Sequence, residues 1–254
     1  MSLEGLELGI LGPALLAGLL VIATHVPLGV EVLTRGIIFI DLAVAQMAGL
    51  GVIAAVGLGW EDYDWAVQLS ALGAALLAAA LLHWSERRWP TIQEPLIGTC
   101  FVLAASGSVL LLANNPHAGE HLRDLLVGEL LWVRAAQLVP VALLSAGVLV
   151  AWFWLRIRAG PALFYGLFAL TVTASVQLVG VYLVFASLIV PALAIRSYPE
   201  RWRLAVGYAL GAAGFATGLV VSALLDLPSG AVTVWSLAAL GILVATLAPT
   251  PGPA

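Results

Sequence analysis

From residue 162 to residue 195 the chain runs without one charged side chain. As a helix rising about 1.5 Å per residue, that tract would be about 50 Å long, whereas the hydrocarbon core of a bilayer is about 30 Å thick. It is too long for one crossing and just short of two. Gly180, near its middle, is a residue able to break a helix there. The sequence therefore predicts a span of ordinary length followed by a short helix over residues 181–194. Further apolar runs at 9–27, 37–59, 66–82, 96–113, 138–155, 204–225 and 231–247 are each near the length that crosses a membrane. Hydrophobic residues make up 62% of the chain and charged residues 9%, with a mean hydropathy of +1.08, so lipid must be the solvent for much of the surface. The expected fold class is all-α: a polytopic transmembrane bundle of eight or nine membrane helices, one of them short or broken near Gly180. The chain reads as a single membrane domain over residues 1–254.

The few charges narrow the function. Acidic residues outnumber basic ones, 14 to 10, so there is no basic footprint for nucleic acid. Every basic residue is arginine and no Gly-rich phosphate loop with its lysine occurs, so the chain has no such motif with which to hydrolyse ATP. Short cytoplasmic loops retain positive charge. Arg35, the pair Arg87 and Arg88, the pair Arg156 and Arg158, and the group Arg196, Arg201 and Arg203 therefore mark the cytoplasmic ends of the spans. Glu61, Asp62 and Asp64, and the mixed segment 114–137, mark the outer ones. Arg158 and Arg196 then lie on the same side, which independently requires the tract between them to enter and return. This topology puts the N-terminus outside and the Pro-rich C-terminus in the cytoplasm. No basic n-region precedes the first span, so that span is expected to stay in place rather than be cleaved as a signal peptide. Trp60, Trp65, Trp84, Trp89, Trp132, Trp152 and Trp154 fall near span ends, as rings at the headgroup level do.

Three segments, in order, resemble one family. Pro27-Leu28-Gly29, then Arg35-Gly36 and Phe39-Ile40-Asp41-Leu42-Ala43, is similar to its second-span region. Gly180-Val181-Tyr182-Leu183-Val184 through Leu188-Ile189-Val190-Pro191-Ala192 is similar to its G-x-L-L-V block ending in I-P-A-A. Leu225-Asp226-Leu227-Pro228-Ser229-Gly230-Ala231 is similar to its late L-D-x-P-x-G-A turn. The family is that of the permease subunits of ATP-binding-cassette importers for zinc, manganese or iron, more distantly similar to the permeases for cobalamin and siderophores. The resemblance implies a permease homodimer in the bacterial inner membrane, seated on separate ATPase subunits and fed by a periplasmic or lipoprotein metal-binding protein. No cofactor is bound permanently; the metal, zinc first and manganese or iron as alternatives, is cargo. In one place the chain departs from the family. Where a histidine usually stands four residues after the aspartate, this chain has Ala45, which offers no donor beside Asp41.

Candidate metal-contacting residues are Asp41, His117, Glu120, His121 and Asp226. Asp41 lies inside a span, where a carboxylate normally faces the bundle interior, a partner or a water-filled path; the bland alternative is a pairing with Arg35. Two of the four histidines, His117 and His121, stand four apart in the external segment with Glu120 between them. A helix beginning near Pro116 would project both rings from one face, a donor set that suits zinc. Asp226 enters through the resemblance, against the plain reading of a turn-forming aspartate. His25 and His83, isolated among apolar neighbours, read as interfacial or helix-bonded. Arg196, Ser197, Tyr198, Arg201 and Arg203 form a basic turn that the resemblance assigns to coupling with the ATPase. A rival from another class is a membrane-embedded zinc metallopeptidase, since His117-Ala118-Gly119-Glu120-His121 fits H-x-x-E-H; a siderophore or cobalamin permease is a third reading.

Overall fold

The structure, a computed structural model, describes residues 8–60, 62–112, 126, 128 and 130–248. The described elements are α1 (Leu8–Arg35), α2 (Ile40–Gly57), α3 (Asp64–Arg88) and α4 (Gln93–Leu111), then a helical run Ala135–Val179, α7 (Val181–Ala194), α8 (Glu200–Leu225) and α9 (Ser229–Thr246). The run Ala135–Val179 is interrupted at Gly160, whose φ of 67° and ψ of −167° are not helical. It thus provides two membrane-length segments, α5 (Ala135–Leu155) and α6 (Gly160–Val179). Among the described residues, 8 helices are long and apolar enough to cross a membrane, and α7, at 14 residues, spans only about 21 Å.

The expected break falls on Gly180, which precedes α7 with φ 78° and ψ 164°, a backbone conformation that glycine adopts at no steric cost. A Cβ on Gly128 would collide with the Val179 carbonyl and the Gly180 nitrogen, so Gly128 lies directly against the peptide that joins α6 to α7. The second span begins at Ile40 rather than at 37, because Gly36 (φ 71°) and a turn closed by Ile40 N–H donating to Ile37 O at 3.2 Å precede it.

The chain forms two compact units. One holds α1, α7, α8 and α9, the 3-10 turn Leu130–Trp132 and the first part of α5. Here α8 packs on α1 and α9, and α7 packs on α1, α8 and α9. Two glycine pairs one turn apart set these contacts. A Cβ on Gly207 or Gly211 would meet Val26, Ile195 or Ile22, and one on Gly214 or Gly218 would meet Leu237 or Thr233. Small residues at such spacing let helix backbones approach where lipid supplies no hydrophobic drive between helices. Pro27 interrupts the α1 hydrogen-bond ladder, because it has no N–H for the carbonyl four residues earlier.

The other unit holds α2, α3, α4, α6 and the rest of α5, with α2 packed on both α3 and α4. Ser70 Oγ donates to Gly51 O at 2.7 Å, tying α3 to α2 where Gly51 has no side chain in the way. On α3 the buried positions include Ala71, Ala75, Ala78 and Ala79, while Leu69, Leu76, Leu77 and Leu81 are exposed. Small residues inward and large ones outward suit a helix whose outer face meets lipid. Gln93 fastens the α3–α4 turn: its amide donates to Leu82 O at 2.9 Å and its Oε1 accepts from Ser85 Oγ at 2.9 Å. Trp152, expected at the headgroup level, is instead buried, 6.2 Å from the Phe164 ring between centroids. The α5–α6 connection folds it against α6 rather than outward. Trp60, Trp65, Trp84, Trp89, Trp132 and Trp154 are exposed as expected.

Candidate functional site

Asp41 sits in the first turn of α2 and is 0% exposed. Its neighbours on α2, Ile40, Ala43, Val44 and Ala45, are buried and apolar. The nearest donors are the backbone N–H groups of its own turn, at Asp41 and Leu42, yet neither carboxylate oxygen completes a hydrogen bond with any described residue. The alternative partner is engaged elsewhere: Arg35 Nε donates to Glu31 Oε1 at 2.8 Å. A buried carboxylate without a partner is costly, and in a membrane span it needs a counter-charge or a path for water and ions. Ala45, one turn on, is 1% exposed, so a side chain at that position lies in the same interior.

One further acid belongs to this region that sequence reasoning passed over. Glu94, in the first turn of α4, accepts the backbone N–H of Ile38 through Oε1, and its Oε2 is buried with no hydrogen-bond partner among the described residues. In the sequence it reads as a solvated acid close to Arg87 and Arg88. Its one recognisable signal is its place immediately before Pro95, where an apolar span begins.

The two isolated histidines are each only partly paired among the described residues, His83 Nδ1 making no hydrogen bond. His25 is 0% exposed and its Nδ1 bonds Val21 O at 2.8 Å, leaving Nε2 without a partner among the described residues. His83 lies 3.6 Å from Glu86 and 5.1 Å from the Tyr165 ring between centroids. Asp226 follows α8 in the left-handed conformation, φ 52° and ψ 48°, which aspartate tolerates better than most residues, and it is exposed. That backbone conformation explains an aspartate there without a ligand. His117, Glu120 and His121 lie outside the described residues. Among the described residues, no three His, Cys, Asp or Glu side chains gather as a metal centre.

The basic turn after α7 divides into two kinds of residue. Tyr198 Oη donates to Val244 O at 2.9 Å, and Arg203 Nη2 donates to Arg196 O at 3.2 Å and Tyr198 O at 3.3 Å. These two side chains hold the turn in shape. Arg196, Ser197 and Arg201 are exposed. Arg196 and Ser197 line a cleft of about 350 Å³ whose floor comes from Val190, Ala238, Gly241 and Ala245.

Helices of membrane-crossing length and composition, with a break at Gly180 and, among the described residues, a buried carboxylate without a hydrogen-bond partner on one of them, mark a multi-pass membrane protein. The sequence matches the ABC 3 transport family over residues 7–159 and 155–248, and the chain belongs to that family. It is 25% identical over 245 residues to the high-affinity zinc uptake system membrane protein ZnuB of Haemophilus influenzae, covering 87% of this chain and 91% of that one. The fold is similar to that of PsaBC from Streptococcus pneumoniae, solved in complex with Fab, with a TM-score of 0.78 and 20% identity over 98% of this chain and 97% of that one.

Proposed function

We propose that this chain is the membrane-spanning permease subunit of an ATP-binding-cassette importer for a divalent transition metal, zinc first, with manganese or iron as alternatives. The observation that carries the reading is Asp41: a fully buried carboxylate with no hydrogen-bond partner among the described residues, in a chain whose family is one of transport subunits. The similarity to a zinc uptake membrane protein and the external His117, Glu120 and His121 favour zinc. In this reading a binding protein delivers the metal from outside, the histidine segment receives it, and Asp41 compensates its charge in passage. Asp226, at the outer turn before α9, is a secondary contact.

Two copies of the chain form the path, and two copies of a separate ATPase subunit drive it. Arg196, Ser197, Tyr198, Arg201 and Arg203 face the ATPase from the cytoplasmic side, with Tyr198 and Arg203 keeping the turn rigid enough to transmit its motion. Alternating access follows as the ATPase pair closes and opens and shifts the population between outward- and inward-open states. The N-terminus is outside and the C-terminus cytoplasmic in the inner membrane. The permease itself performs no covalent chemistry, and the transport-family match over residues 7–248 favours this reading over a peptidase.

The test is reconstitution with the ATPase in liposomes and measurement of ATP-dependent uptake of radiolabelled zinc and manganese. Uptake of neither metal in the presence of a metal-loaded binding protein would overturn the assignment.

A further inference from the structure

We propose that Glu94 completes, together with Asp41, an oxygen-only waypoint for the divalent cation, built where α2 and α4 begin. The proposal rests on the reading that this chain transports a dication, and it names a second side chain on the route.

Ile38, whose N–H Glu94 holds, lies three positions before Asp41 in the turn that leads into α2. Three residues reach at most about 10 Å even when extended, and this turn is shorter, being closed by the Ile40 to Ile37 hydrogen bond. Glu94 is thus bonded to the turn that leads into the first turn of α2, where Asp41 stands, and α2 and α4 pack on each other. Between them the two carboxylates hold three buried oxygens without a partner among the described residues, Oε2 of Glu94 and both oxygens of Asp41. Buried polar atoms in native proteins are nearly always hydrogen-bonded, and each exception asks for an explanation such as an ion.

A divalent cation takes carboxylate oxygens from more than one side chain, and manganese favours such oxygens. The donor set is also suited to passage rather than storage. Ala45 supplies no imidazole, and the positive ends of α2 and α4 already offset part of the negative charge. A cation there is held loosely enough to move on.

The structural alternative is that Glu94 only ties the turn through Ile38. That role needs one acceptor oxygen and no charge, which a glutamine amide also provides. Glu94→Gln therefore separates the two. The experiment uses the permease in complex with its ATPase, with Mn²⁺ as the probe, followed by the loss of its free-ion electron paramagnetic resonance signal. ATP-driven Mn²⁺ uptake in liposomes is measured in parallel, with thermal unfolding as a fold control.

The expected result is weaker Mn²⁺ binding in Glu94→Gln by roughly tenfold or more, since even outer-shell partners of a metal matter on that scale. Uptake falls with it while thermal stability is kept. Combining it with Asp41→Asn adds little to the worse single variant, because the two act on one ion. Wild-type binding and uptake in Glu94→Gln beside a defective Asp41→Asn would overturn this proposal and leave the Asp41 reading standing. Wild-type behaviour of both variants would remove both. Should Glu94→Gln lose stability, Glu94→Asp decides: it keeps the charge, so better Mn²⁺ binding than in Glu94→Gln supports the waypoint, and equal loss in both marks a structural tie and overturns it.

Discussion

Tyr208 Oη, on α8, donates a hydrogen bond to the backbone carbonyl of Ala23, on α1, at 3.2 Å. Ala23 is the residue four before Pro27, so this is the carbonyl that the proline leaves without a helical N–H. In lipid such an orphan has no water to turn to. Replacing Tyr208 with phenylalanine keeps the ring and removes the donor. Unfolding in detergent should show a loss of about 1 kcal/mol, the scale of one interhelical bond in a membrane protein. Unchanged stability would mean that Ala23 finds another donor.

Gly29 faces the Leu188 carbonyl so closely that a Cβ there would overlap it. The obstacle is backbone on α7 rather than the end of a flexible side chain. Gly29→Ala should therefore force α1 and α7 apart and cost about 1–3 kcal/mol. Gly73, with open space around it and no positive φ, is the control, and Gly73→Ala should be neutral or slightly stabilising.

Asp41→Asn keeps the size of the side chain and removes its charge. If the carboxylate compensates a passing dication, uptake should fall tenfold or more, since an uncompensated charge in such a site costs about 3–5 kcal/mol, while the bundle stays folded. Ala45→His adds an imidazole one helical turn away on the same face and should tighten zinc binding and slow release. Wild-type zinc and manganese uptake in Asp41→Asn would take the residue out of the pathway.

Ser197 is exposed beside Arg196 on the turn that Tyr198 and Arg203 hold. The natural Cys100 is replaced first, so that a cysteine at Ser197 is the single thiol. That thiol should crosslink to the ATPase subunit and resist membrane-impermeant reagents applied outside right-side-out vesicles. Labelling from outside would reverse the proposed topology.

Changing His117 and His121 together to alanine should lower uptake at limiting metal at least severalfold without disturbing assembly with the ATPase. Full uptake under those conditions rules out the external segment as the receiving site.

Much of this protein follows from the linear order of its residues. A helix is a structure that satisfies its own backbone within lipid, so the lengths of the apolar runs and the spacing of the arginines are enough to indicate a helical membrane protein. The break at Gly180 follows as well, since the tract around it is too long for one crossing. Asp41 was visible for the same reason: an acid inside an apolar run stands out.

The tertiary structure decided which face of each helix is buried. Where lipid is as apolar as the interior, hydropathy does not distinguish inside from outside, and the alanines of α3 turn inward while its leucines turn outward because small residues pack helices closely. It also gave Arg35 Nε a partner in Glu31 and folded Trp152 against Phe164. It brought Glu94 to the turn before Asp41, across 56 residues of sequence. Interactions of that kind depend on which helices become neighbours, and in a membrane that choice is made by side-chain volume and by hydrogen bonds between distant segments, neither of which leaves a period in the sequence.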